Sequence, residues 1–482
     1  MNISPGILEI AVVLLGVALL LLDLWTPASH KRLLGYLAAA GLCSIFVGSF
    51  MISVPETPQP AFGGMFIHDH LALFFKQLVL LAAIAVLLIS VEFAPRITSG
   101  IAEFYTLTVF ALSGMMFAAS ANNFVMVFVS LELVTITFYI LTSFLRNRMQ
   151  SLEAGTKYLI LGALSSAFLV YGIALVYGVS GSMAFSEIAA SSETTQGSLV
   201  FKLGILFILA GLGFKVAAFP YQIWVPDVYQ GAPTPTTAFL AIGSKATGFV
   251  LIMRVLFSAV PELAHHWEKL FIGIAAATIL YGNLCALSQR NLKRLLGYSS
   301  IANAGYLLLG IAALSPSGST AILFYLGAYL FAVITAFTVI MLVSQQIGTE
   351  DISSLAGLNE RSPLLAAAMT LSMISLAGIP PLAGFFGKFL LVRAIIEQAS
   401  SYSPYYLLAG VAVIGVAISI YYYFGVIRVI YWSKYPADTA PLTTSMPIRF
   451  TMIAGMVGMI YLGTMPNGIV KAAALAAGSL PH

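Results

Sequence analysis

Fourteen runs of apolar residues, each long enough to cross a bilayer, follow one another between positions 7 and 466, and this succession decides the fold class. A helical crossing needs about 20 such residues. The runs lie near 7–24, 32–54, 71–91, 101–120, 122–145, 156–179, 200–230, 234–258, 268–288, 294–314, 318–346, 363–399, 405–432 and 446–466. Too little charge remains for a water-soluble surface: 8% of the 482 residues are charged, where soluble chains carry about 25%. The expectation is an all-α polytopic membrane protein; the period-two alternation of an outer-membrane barrel is absent.

The charged residues set orientation and exclude several functions. One set of alternate loops holds Lys31, Arg32, Arg96, Arg146, Arg148, Lys157, Arg290, Lys293, Arg294, Arg361, Arg428, Lys434 and Arg449, and the other holds Lys76, Lys202, Lys269, Arg393 and Lys471. By the positive-inside rule the first set is cytoplasmic and both termini lie outside. The net charge of +4 is dispersed, so no nucleic-acid surface is expected. Cys43 and Cys285 fall within apolar runs with no CxxC partner, which leaves no iron–sulfur, zinc or haem spacing. The opening MNISPGILEI carries Glu9 and no basic segment, so the first run reads as a retained span.

Against this background the stretch from Gly211 to Lys245 stands out. It sets Lys215 and Lys245 among apolar residues, with Pro220, Pro226, Pro233 and Pro235 between them. A lysine at mid-bilayer costs about 2.5–3.5 kcal/mol on insertion scales, and proline removes a backbone donor where no water replaces it. Lys388 is equally deep, and Glu132 lies about 15–20 Å from either end of its run at 1.5 Å per residue. Intramembrane ionisable groups are functional by default, with structural ion pairs the main alternative. Pro220 leaves the carbonyl of Val216 without its usual donor, and Pro380 and Pro381 leave those of Leu376 and Ala377; each needs water or a side chain.

The two overlong runs, 200–230 and 363–399, hold these prolines and occupy the fourth place in each of two five-helix units. Discontinuous helices at matching places point to inverted repeats around a transport site. The expected organisation is a three-helix segment at 1–100, a first repeat at 101–258, a second at 268–432, and a C-terminal helix and tail at 446–482. Desolvation favours a neutral amine and a nearby carboxylate favours the ammonium. If Glu132 approaches Lys215, moving the carboxylate away and back makes a proton switch; a static pair pinning two helices is the plainer reading.

Other polar features carry less. His68-Asp69-His70 lacks further ligands for a metal. GFFGK at 384–388 lacks the spacing of a phosphate loop, and GLGFKV lacks the third glycine and the strand of a dinucleotide site. Asp227 is expected to cap or turn the chain at the cytoplasmic end, and Tyr421–Tyr423 to sit in an interfacial belt or in packing.

Five segments together resemble one family: SLELVTITFYIL around Glu132, KYLILGALSSAFLVYG at 157–172, FKVAAFPYQIWVPDVYQGAPTPTTAFLAIGSK at 214–245, QRNLKRLLGYSSIANAGYLL at 289–308 and SLAGIPPLAGFFGKF at 375–389. They are similar to the subunit N family of proton-translocating NADH:quinone oxidoreductase, respiratory complex I, among the antiporter-like subunits. The resemblance covers nearly the whole chain. VYQGAPTPTTAF is N-type, and the chain ends soon after the fourteenth run, without the long lateral helix of L-type subunits.

The resemblance implies about fourteen transmembrane helices with two inverted five-helix repeats, each containing one discontinuous helix. It implies that Glu132 and Lys215 are a coupling pair, Lys245 a central relay and Lys388 the residue of a second half-channel. Asn303 stands where relatives carry histidine; asparagine holds water but carries no proton, and Ser299, Ser300 and Tyr306 would have to support the water chain. No cofactor or metal is expected on this chain. NADH, flavin, iron–sulfur clusters and quinone belong to partner subunits, among which a sister antiporter-like subunit is expected. The implied setting is an energy-coupling membrane, the bacterial inner membrane, and the implied activity is proton translocation as a non-redox subunit of the translocase. The alternatives are a subunit of a multi-subunit cation/proton antiporter and an inert structural scaffold.

Overall fold

A computed structural model describes residues 4–55, 58–191, 195, 197–433, 441, 442 and 444–481. Lys434, one of the loop cations counted above, lies outside the described residues. Among the described residues thirteen helices are long and apolar enough to cross a membrane, from Ile7–Trp25 to Met446–Thr464. The remaining crossing is divided into Pro363–Ala377 and Ala383–Ala399, which gives fourteen in the order expected. Their ends are set by side chains that satisfy free backbone amides. Asn123 Oδ1 accepts from Val125 N at 2.7 Å to start the fifth span, and Ser198 caps the seventh through Phe201 N at 3.1 Å. Asn291 and Ser315 do the same for the tenth and eleventh.

The spans are not equivalent. The eighth (Thr234–Ala259), tenth (Leu292–Ala312) and eleventh (Pro316–Ile347) are 100%, 94% and 89% buried over their apolar windows, whereas the first is 28% and the sixth 33% buried. The eighth, tenth and eleventh therefore form a column screened from lipid by the others, and polar side chains on them face protein.

Both broken helices end in the same way. The seventh span runs from Leu199 to Val216, then Ala217 turns left-handed at φ 62°, Ala218 N bonds Gly213 O at 2.9 Å, and Phe219-Pro220 is cis. In the twelfth, Pro363–Ala377 ends at Gly378 with φ 83°, Ile379 N bonds Ile374 O at 3.2 Å, and Pro380-Pro381 is cis. Residue for residue this is one C-terminal motif used twice, as two repeats require. The helix stops before each proline, so Ala217 and Gly378 make the break and the prolines keep the helix from resuming at once. The left-handed region costs a residue with Cβ about 1–2 kcal/mol, which Ala217 bears and Gly378 avoids.

Three features went unread in the sequence. A hairpin, Gln59–Ala61 with Phe66–His68, covers one end of the bundle. A short helix, Asn467–Ala477, comes after the last span and packs on the third and eleventh. The eighth span contains two π-helical stretches, Leu240–Ser244 directly before Lys245 and Val255–Ala259 directly after Arg254. Such wide turns concentrate at functional sites.

Candidate functional site

Lys215 sits on the last turn of the first half of the seventh span, where the carbonyl end of a helix favours a cation. Its side chain is buried, and Nζ donates to Thr135 Oγ1 at 2.5 Å on the fifth span. Gly248 on the eighth span allows this approach: a Cβ there would meet Lys215 Cβ at 3.2 Å and a Val216 methyl at 2.7 Å. Lys245, one turn earlier on the same span, donates to Ser300 O at 2.5 Å and to the Ser300 hydroxyl, which also bonds Tyr229 OH at 3.0 Å.

Beyond Ser300 the polar line continues along the tenth span. Ser299 shares a short hydrogen bond with Tyr423, Asn303 Nδ2 donates to Ser299 Oγ at 3.4 Å, and Tyr325 OH donates to Asn303 Oδ1 at 2.7 Å. Tyr325 packs directly on Gly387, where a Cβ would lie 2.4 Å from its ring, so the line arrives beside Lys388. The Lys388 ammonium lies 4.5 Å from the centre of the Tyr306 ring. It donates to Leu376 O at 2.8 Å and Ala377 O at 3.3 Å, the carbonyls that Pro380 and Pro381 leave without backbone donors. Gly378 makes room for it, since a Cβ there would meet Lys388 Cδ at 2.9 Å.

Glu132 behaves differently. It is half-buried, accepts from Ser166 Oγ at 2.5 Å, and lines a side cavity of about 680 Å³ with Tyr139, Ser143, Thr156 and Ser166. Among the described residues no carboxylate lies within 4.0 Å of Lys215, Lys245 or Lys388. Thr135, which accepts from Lys215, lies on the same helix three residues after Glu132.

Three other buried cations are paired with carboxylates. Lys76 meets Glu9 at 2.7 Å, Arg254 grips Asp69 through two bonds of 2.6 and 2.7 Å, and Lys293 lies 3.2 Å from Glu350. Lys76 and Lys293, read above as loop residues, are thus inside the bundle, where a carboxylate compensates their burial: Glu9 on the first span for Lys76, and Glu350 just after the eleventh for Lys293. Arg254 also donates to Ala119 O, and Asp69 caps the third span through Ala72 N at 2.8 Å. The His68-Asp69-His70 carboxylate is therefore already engaged, and burial holds the His68 imidazole below its usual pKa. Among the described residues no three metal-ligating side chains converge.

Asp227 lies in the first turn of Val225–Gly231 but makes no capping hydrogen bond; its carboxylate accepts from Lys157 at 2.8 Å and from Arg294 at 2.6 Å, because two cations from other helices compete for it. The tyrosine run divides. Tyr421 is exposed, but Tyr422 and Tyr423 are buried, and Tyr422 OH donates to Asn283 Oδ1 at 3.0 Å, so the packing reading holds for the latter two. Thr135, Ser166, Tyr325 and Tyr423 were missed as site residues. Single hydroxyls among apolar residues carry no signal until the helices are packed. Of the expected Ser299, Ser300 and Tyr306, the two serines lie on the polar line, whereas the Tyr306 hydroxyl donates to Ala412 O at 3.0 Å.

A family model described as NADH:quinone oxidoreductase/Mrp antiporter, TM, matches residues 121–419. The NADH-quinone oxidoreductase subunit N of Moorella thermoacetica is 41% identical over 470 residues, covering 98% of this chain and 97% of that protein. A chain of respiratory complex I from Thermus thermophilus with bound aureothin superposes with a TM-score of 0.81 at 33% identity, covering 97% of this chain and 99% of that one. A chain of the Mrp complex from Dietzia sp. DQ12-45-1b gives a TM-score of 0.88 at 20% identity, covering 100% and 98%; that likeness concerns the fold.

Proposed function

The chain belongs to the antiporter-like membrane subunits of NADH:quinone oxidoreductase, in the subunit N family, and from that premise we propose how it moves protons and in what setting. The observation that carries the reading is the division of the buried cations into two kinds. Lys76, Arg254 and Lys293 face carboxylates, and a proton leaving such a lysine would strand a buried anion. Lys215, Lys245 and Lys388 are held by hydroxyls and carbonyls. A hydroxyl both donates and accepts, so Thr135 or Ser300 can turn its hydrogen toward a neutral amine; Lys388 as an amine keeps two N–H donors for its carbonyls. These three lysines can exchange protons without leaving a partner unsatisfied.

Glu132 is the proposed switch. Held by Ser166 at the side cavity, its carboxylate acts on Lys215 through space, and its movement toward or away from Thr135 biases the proton on Lys215. Lys245, Ser300, Ser299, Asn303 and Tyr325 continue the path to Lys388, with water carrying the proton past Asn303. Residues 101–258 and 268–432 are then two half-channels, flanked by 1–100 and 446–482. This subunit performs no redox chemistry of its own; NADH, flavin, iron–sulfur clusters and quinone reside in partner subunits, and a sister antiporter-like subunit adjoins it. The similarity to bacterial subunits favours a bacterial inner membrane, and the loop charges favour both termini outside. The cation/proton antiporter alternative has the shared fold in its favour, whereas sequence identity favours the oxidoreductase.

Glu132→Ala should leave the complex assembled, because the side chain is half-exposed at a cavity, and should lower proton translocation with quinone reduction by about tenfold, or ~1.4 kcal/mol on the barrier. Proton uptake by vesicles carrying the variant complex measures this. Wild-type uptake would remove Glu132 from the mechanism.

A further inference from the structure

A cavity of about 410 Å³, remote from the lysine line, is lined by Arg96, Thr98, Arg146, Asn147, Arg148 and Glu350. Its walls come from three span ends: Arg96 closes the third span, Arg148 precedes the sixth, which begins at Met149, and Gly348 comes directly after the eleventh, which ends at Ile347. The cavity therefore opens at the boundary between hydrocarbon and water. Its cations are poorly compensated. Among the described residues Glu350 is the one carboxylate in the lining, and the same oxygen lies 3.2 Å from Lys293 Nζ and 3.7 Å from Arg148 Nη1. Arg96 donates to the Ser344 carbonyl at 2.7 Å, a bond that satisfies a donor but cancels no charge.

Three guanidiniums around one shared carboxylate make a site of net positive charge, suited to an anion. Planar guanidiniums pair with phosphate oxygens through two parallel bonds, and Thr98 and Asn147 add neutral donors at the rim. Basic pockets between span ends, at headgroup depth, are suited to phospholipid headgroups. We propose that this pocket binds a phosphate group through Arg96 and Arg148, and that the phosphate belongs to an anionic phospholipid. The inference is independent of the proton path.

Photoreactive phosphatidylglycerol, added to the purified complex after removal of lipid, tests it by mapping labelled peptides. Labelling is expected within 143–148 and around Arg96, and should fall about tenfold in Arg96→Gln/Arg148→Gln. Arg146→Gln alters an exposed side chain only, and should weaken labelling while the complex stays assembled. Equal labelling by a phosphatidylcholine probe, or unchanged labelling in both variants, overturns the proposal. Millimolar inorganic phosphate that abolishes the labelling assigns the pocket to a free anion and overturns its assignment to lipid. An acidic side chain of a neighbouring subunit found in the pocket in a map of the native complex overturns it as well.

Discussion

Lys245→Met should leave the complex assembled and lower proton translocation by at least about tenfold, ~1.4 kcal/mol or more on the barrier. The site explains both halves of that expectation. Methionine matches lysine in length and carries no charge into a span that is buried throughout. The Ser300 hydroxyl keeps Tyr229 as a partner at 3.0 Å, so the change orphans no side-chain group there. What disappears is the titratable group between Lys215 and the Ser299–Asn303–Tyr325 line. Initial rates of quinone reduction and proton uptake in the same vesicles measure it. A variant that translocates at the wild-type rate would show that the path bypasses Lys245 on the eighth span.

Arg254→Met should have the opposite character, a large cost in stability and a secondary one in rate. Asp69 would lose two charge-assisted bonds of 2.6 and 2.7 Å while remaining about 1% exposed. Removing one partner of a buried pair costs about 3–5 kcal/mol, because the survivor is an uncompensated charge. The yield of assembled complex and its thermal unfolding should both fall. Adding Asp69→Asn removes the stranded charge and keeps an acceptor for Ala72 N, so the double variant should recover most of the loss. A double variant no better than Arg254→Met alone would mean that Asp69 is uncharged or solvated in the native protein.

The two variants separate what the sequence makes legible from what it conceals. Span count, broken helices and the depth of Lys215, Lys245 and Lys388 all derive from local properties: apolar length, proline position and distance from a run's end. The orphaned Leu376 and Ala377 carbonyls were legible too, because proline's missing N–H is a covalent fact; the identity of their donor was not. Lys76 and Lys293 were misread for a related reason. A cation near the end of a run looks like a loop residue unless the carboxylate that compensates it, Glu9 or Glu350, is known to face it from another part of the chain. The spacing of Glu132 and Lys215 likewise depends on packing, which sets Ser166 and Thr135 beside them. The π-helical turn before Lys245 has no signature in residue type: LAIGS reads as ordinary helix.

The central claim is that protons pass through this chain by way of lysines with neutral partners. Its most direct test is the proton-to-electron ratio of the reconstituted complex carrying Lys215→Ala, determined from proton uptake and quinone reduction in the same vesicles. The ratio should fall below the wild-type value, at whatever rate electrons still flow. A ratio equal to wild type, in an assembled complex, would contradict the account.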